Sequence, residues 1–234
     1  MKVLGNALHK FWALFGLEFN KRWFRLWIIF FFFIVYMMTF MWLESLEPAN
    51  LHIIHCVIDD YIPVVPVFIF PYLAWFPLIG ITMAFYAFFQ KNDTEFRCYV
   101  SMVVLGIIFF VIICLVWPNG LELRPDVSGP GFFNWALRTL YSNDTPTNVF
   151  PSLHVYQTLV AVVPTWRLYR KKHPVLTWFV VVLAVLICLS TVFLKQHSII
   201  DAVAGVVFAA IFYWISYYVF PFRRREAAQV QTEA

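Results

Sequence analysis

The chain has 234 residues, of which 62% are hydrophobic, 21% aromatic and 13% charged, with a mean hydropathy of +0.75. Soluble domains carry about 25% charged residues, so as a water-soluble globule this chain would leave large apolar patches exposed. A soluble enzyme, a disordered chain and a nucleic-acid binder are excluded, and the bilayer is the expected solvent for a chain whose formal net charge is +4.

Residues 1–25 begin with Leu4, Leu8, Phe11, Trp12, Phe15 and Phe19 at near-helical spacing, interrupted by Lys10, Glu18 and Lys21. This pattern predicts an amphipathic helix lying in the membrane interface. The apolar run that follows is too long for a signal peptide and has no small-residue cleavage site after it, so it is expected to be a retained first span.

A bilayer core about 30 Å thick needs about 20 apolar residues in a helix. Six uncharged runs meet or approach that length, at 26–43, 62–89, 98–117, 145–166, 174–194 and 202–222. Pro63, Pro66, Pro71 and Pro77 predict a kinked or irregular outer part of the second run. The expected fold is an all-α, polytopic membrane protein, a six-transmembrane-helix bundle over 26–222 with a tail over 223–234. No repeat or second domain is visible. The four cysteines form no C-x-x-C pair, and no disulfide or metal framework follows from them.

With six spans, both termini and the second and fourth loops share one side. That side carries fourteen of the 17 Lys and Arg residues; Arg124, Arg138 and Lys195 are on the other. This asymmetry predicts cytoplasmic termini. The outer side then holds loops 44–61, 118–144 and 195–201. The acidic residues Glu44, Glu47, Asp59 and Asp60 of the first loop could shape headgroup preference or form a solvated loop, and are read as the solvated loop.

Two polar clusters break the apolar pattern at span ends. In Asn148-Val149-Phe150-Pro151-Ser152-Leu153-His154, Pro151 suits the first turn of a helix. The turn's exposed N–H groups would form an anion site, with His154 inside the turn. In Lys195-Gln196-His197-Ser198-Ile199-Ile200-Asp201, His197 and Asp201 are spaced to share one helix face. A carboxylate there fixes the imidazole tautomer and leaves the other ring nitrogen able to attack. The bland alternative is a helix cap, since Asp is favoured in a first turn. Arg124-Pro125 adds a fork that matches phosphate oxygens. Two histidines, one carboxylate and up to three cations suit displacement at phosphorus, without the carboxylate cluster that bound magnesium needs.

The ordered set R-P, P-S-x-H and H-x-x-x-D among six spans resembles the type 2 phosphatidic acid phosphatase superfamily, which includes lipid phosphate phosphatases and phosphosphingolipid synthases. The resemblance covers roughly residues 60–220. It implies a metal-independent, cofactor-free hydrolase that works through a phosphohistidine on a lipid phosphate substrate in the membrane. His197 would be the nucleophile, Asp201 its orienting carboxylate and His154 the acid and then the base. Arg124, Ser152 and Lys195 would bind phosphate, and the site would face the extracytoplasmic side of the cell membrane. Two family cations are missing: Trp117 stands where the phosphatase branch has lysine, and Ser190-Thr191 stands for its Ser-Arg. These departures resemble the phosphotransferase branch, such as inositol phosphorylceramide synthases. In that alternative Asn134, Tyr141, Asn143, Asp144 and Asn148 would line an acceptor pocket. A non-catalytic transporter is the third reading.

Overall fold

The computed structural model describes residues 22–46 and 50–219. The expected interfacial segment lies almost entirely outside the described residues, as does the tail.

Helix α1, Arg22–Glu44, is followed by a short strand β1, His52–Ile53, and the small helix α2, Val57–Tyr61. A 3₁₀ turn, Pro66–Phe68, leads into α3, Ile69–Phe89, and α4 runs from Asp93 to Val116. Strand β2, Asn119–Gly120, and helix α5, Phe132–Asn143, precede α6, Leu153–Tyr169, and α7, Pro174–Phe193. The last helix, α8, Ile199–Trp214, continues into a π-helical turn, Ile215–Val219. The fold is mostly helical, as expected, with one two-residue parallel strand pair that joins His52 to Asn119 and Ile53 to Gly120.

Among the described residues, five helices are long and apolar enough to cross a membrane: Arg25–Glu44, Pro66–Phe89, Asp93–Val116, Pro174–Phe193 and Ile199–Val219. They match five of the six expected runs to within a few residues. The irregular start expected for the second run is the loop to Val65 plus the 3₁₀ turn, with Pro77 accommodated inside α3. The fourth run departs most. Residues 145–152 are non-helical, and α6 starts at Leu153 because Ser152 caps it by accepting from the Val155 N–H. At 17 residues, α6 is about 25 Å long.

Helix α6 is the centre of the bundle and packs against α3, α4, α7 and α8. A Cβ at Gly106 of α4 would fall 2.0 Å from the Tyr156 ring, and one at Gly205 of α8 would fall 2.8 Å from the Ser152 carbonyl oxygen. Those two glycines therefore permit the close approach that sets α4 and α8 against α6. The Tyr156 hydroxyl donates to the Met102 carbonyl, tying α6 to α4 deep in the core.

The connections gather at two ends. At one end Arg25 pairs with Asp93 and donates to the Gln90 carbonyl, while Cys98 contacts the Ser216 carbonyl. Arg167 pairs with Glu95 at the same end. At the other end Glu44 accepts from Thr145, Thr147 and Asn148, and β1 pairs with β2. The first and last described helices thus begin and finish at the same end. The three loops expected on the outer side converge at the other.

Candidate active site

The 194–201 turn is held from several directions. The Thr191 carbonyl accepts from the N–H groups of both Gln196 and His197, and Lys195 adopts a left-handed φ of 52°. Ser198, not His197, begins the next helix as its N-cap. Its side chain accepts from Ile200 N–H, and the Asp201 carboxylate reaches back to the Ser198 N–H at 2.9 Å. The expected shared helix face is corrected on this point: His197 precedes the helix, and the capping box aims Asp201 at it. His197 Nδ1 lies 3.5 Å from Asp201 Oδ2. His197 Nδ1 and Asp201 Oδ1 are both buried without a hydrogen-bond partner among the described residues. A small turn of the carboxylate would pair them, and a catalytic role is one explanation for unsatisfied buried groups of this kind.

His154 is the second residue of α6, in the first turn as expected. Pro151 instead lies before the cap. The backbone N–H of Ser152 donates to the Asp201 carbonyl at 3.1 Å, which ties the two motifs together. His154 Nδ1 and His197 Nε2 face each other at 3.4 Å. The His154 ring packs against Tyr72 and Trp75 of α3, with centroids 4.8 and 4.6 Å away. Two aromatic faces therefore fix its orientation.

The remaining expected residues are placed as follows. Arg124 donates to the carbonyls of Tyr141, Asp144 and Thr145 and to the Gln196 side chain at 2.7 Å. Its Nε and the Gln196 Nε2 are buried donors with no partner among the described residues. Burial lowers the Arg124 pKa, an effect opposed by the Asp144 carboxylate. Tyr141 under the guanidinium is raised by burial to about 12, so it stays a neutral donor to the Leu194 carbonyl. The Ser152 hydroxyl oxygen serves as the α6 cap. The Lys195 ammonium sits on the Asp59 carbonyl at 2.6 Å.

Three residues organise the site without being visible in its motifs. Asp59 is 1% exposed, which corrects its reading as a solvated loop residue. Its carboxylate accepts from the Ser198 hydroxyl at 2.6 Å, the Ile199 N–H at 2.9 Å and the Cys56 N–H at 2.9 Å. Glu44, also read as solvated, holds the 145–148 stretch; Glu47 lies outside the described residues, and Asp60 pairs with His55 at the surface. The Asn119 side chain accepts from the N–H groups of Val149 and Phe150, which shapes the approach to Ser152. Trp117 packs edge-on against Phe150. These contacts join residues far apart in sequence, and only a carboxylate close to a span end hinted at them.

Asp59 thus acts as a positioning residue for the His197 turn. Asp59→Ala is expected to lower kcat about ten- to a hundredfold, because small misplacements of a reacting group carry penalties of that size. KM should stay nearly constant and Asp59→Glu should recover part of the rate. A matched fall in folded yield and activity, with normal kcat in the surviving protein, would contradict this role.

The histidine pair opens into a cavity of about 820 Å³. Its polar end carries Asn143, Asp144, Asn148, His154, Gln196 and His197, and its long walls are apolar side chains of α1, α3 and α4. Of the residues expected to form an acceptor pocket, Asn143, Asp144 and Asn148 line this cavity. Asn134 instead donates to the Ser128 carbonyl and Tyr141 to that of Leu194. Among the described residues no group of three or more His, Cys, Asp or Glu side chains is arranged to hold a metal ion.

The profile of the PAP2 superfamily matches residues 100–225, more than half of the chain, and the chain belongs to that superfamily. Phosphatase-type chemistry on lipid phosphoesters is the family's general activity. The matched region contains Arg124, His154, His197 and Asp201, whereas α1, α3 and Asp59 lie before it. No curated protein and no solved structure matches the chain.

Proposed function

We propose that this protein is a lipid phosphatase that hydrolyses a phosphomonoester or diphosphate of a membrane lipid through a phosphohistidine at His197. The observation that carries the reading is the meeting of His197 Nε2 and His154 Nδ1, 3.4 Å apart, at the polar end of an otherwise apolar cavity. A phosphoryl group admitted there would replace the contact between the two rings. His197 Nε2 attacks phosphorus while Asp201 stabilises the imidazolium through Nδ1. His154 protonates the departing lipid oxygen and then takes a proton from the incoming water. The unpartnered Arg124 Nε and Gln196 Nε2 are suited to the phosphoryl oxygens. Lys195, held on Asp59, contributes positive charge near the turn and no direct phosphate contact. None of these steps calls for a metal.

Phosphotransfer to an alcohol is the second reading. It is favoured by the Asp144 carboxylate and the Asn143 and Asn148 amides lining the cavity beside His154, which suit a hydroxylated acceptor. Purified protein incubated with labelled lipid phosphates in EDTA decides between them. Phosphate release without any alcohol, inhibited by vanadate, is the expected result. Product formed only with added inositol or ceramide would replace hydrolysis by transfer. Activity lost in EDTA and restored by magnesium would overturn both.

The reading includes six crossings, with α6 as the short central one, both termini in the cytoplasm of a cell-membrane protein, and the site outside. Its support is the distribution of basic residues: Arg124, Arg138 and Lys195 at the site end against fourteen others elsewhere in the 17. A Ser128→Cys protein lacking Cys56 is expected to react with an impermeant thiol reagent on intact cells. Labelling only after the membrane is opened would place the site on the cytoplasmic side.

A further inference from the structure

Helix α5 carries a patch that the chemistry above does not use. Its first turn presents Phe132, Phe133 and Trp135, between 40% and 57% exposed. The three rings form one cluster, with the Phe132 centroid 5.5 Å from Phe133 and 5.9 Å from Trp135. The cluster is continuous with α3, because Phe70 lies 6.2 Å from both Phe132 and Phe133. Phe70 is the second residue of α3, and Leu73 and Phe76 carry the exposed apolar surface on along that helix. Helix α3 is one of those long and apolar enough to cross a membrane, so this surface faces acyl chains. The α5 cluster is therefore level with the end of a span, where hydrocarbon meets headgroups.

The rest of the exposed surface of α5 is polar, with Arg138, Thr139, Ser142 and Asn143. The helix thus changes from apolar to polar along its 12 residues. That gradient suits an element with one end immersed in the interface. Together with the continuity with α3, it favours a lipid leaflet over a protein as the occupant of the patch. The polar half also reaches the active site. The Tyr141 carbonyl and the carbonyl of Asp144, the C-cap, accept from Arg124, and the Tyr141 hydroxyl donates to the Leu194 carbonyl, where the His197 turn begins. We propose that the aromatic end of α5 docks into the lipid leaflet at the site end of the bundle, and that this seat holds Arg124 and the 194–201 turn in place for phosphoryl transfer. The seat stands apart from the phosphatase reading; its effect on rate rests on that reading.

Nitroxide labels on Phe132→Cys and Ser142→Cys test the seat in phosphatidylcholine vesicles. Each is placed in a protein lacking Cys56, the one cysteine outside the spanning helices. The label at 132 is expected to be relaxed more by oxygen than by a water-soluble nickel chelate, and the label at 142 the reverse. Stronger relaxation by nickel at 132 would put the patch in water, and spin–spin broadening there would put a second copy of the chain on it; either result overturns the proposal. The effect on rate is read with the double variant Phe132→Ser, Trp135→Ser on soluble p-nitrophenyl phosphate in the same vesicles. Its kcat is expected to fall about tenfold, the scale for displacing a substrate-positioning group such as Arg124 by a fraction of an ångström. Thermal stability should change little, as for most surface substitutions, and the apolar pair Phe132→Leu, Trp135→Phe should keep the wild-type rate. An unchanged kcat in the serine variant, or a loss matched by a loss of folded protein, would overturn the link to the site. If wild type releases no phosphate from p-nitrophenyl phosphate, the phosphatase reading fails, while the label at 132 still decides where α5 sits.

Discussion

Replacing His197 by alanine is expected to abolish turnover, by roughly 10⁵–10⁶-fold, the scale on which an enzyme loses rate when its nucleophile is removed. The substitution removes the one nitrogen that faces both His154 and the cavity. Folding should survive it, because the turn is held by backbone bonds to Thr191 and by Asp59 on Ser198 and Ile199. Asp201→Asn is expected to cost about 10³–10⁴-fold. The amide can still accept from Ser198 N–H and keep the cap, but it cannot stabilise a positive imidazole. Equal stability of Asp201→Asn and wild type, together with this loss, separates the catalytic role from the capping role. Activity near wild type in a pure His197→Ala preparation would exclude His197 as nucleophile.

His154→Asn is expected to slow hydrolysis of alkyl phosphates about 10²–10⁴-fold, the range for a positioned general acid. The effect should depend on the leaving group. A lipid alkoxide needs a proton to depart, whereas p-nitrophenolate does not, so phosphoryl transfer from p-nitrophenyl phosphate to the enzyme should be nearly spared. The second half-reaction still needs a base for water, and the phosphoenzyme should therefore accumulate in this variant. Equal losses on both substrates, with no accumulation, would assign His154 a structural role between Tyr72 and Trp75.

The long helices were legible because the thickness of a bilayer forces long uncharged runs, and α1, α3, α4, α7 and α8 each follow one. The start of α6 was not. Residues 145–152 carry no charge, so they read as membrane, yet Thr145, Thr147 and Asn148 are recruited by Glu44 from the far end of α1. Helix α5 lies in what read as a loop; its buried Ala136 and Leu137 pack with Ile69, Tyr72 and Leu194, and its Phe132 and Trp135 remain exposed. The motif histidines and Asp201 were legible from their order and spacing. Asp59, Asn119, Tyr72 and Trp75 were not, because each reaches the site by folding across many residues, where spacing carries no signal. Asp59 also belongs to an acidic loop whose local composition looks solvated.

The central claim is a covalent phosphohistidine at His197. Rapid acid-free quenching of the enzyme during turnover of a phosphorus-labelled lipid phosphate, followed by peptide mapping, tests it directly. Label that is stable to alkali and labile to acid is expected on the peptide containing His197 and absent from His197→Ala. Label on another residue, or sustained turnover by an enzyme that never carries label under quenching that preserves a phosphohistidine standard, would contradict it.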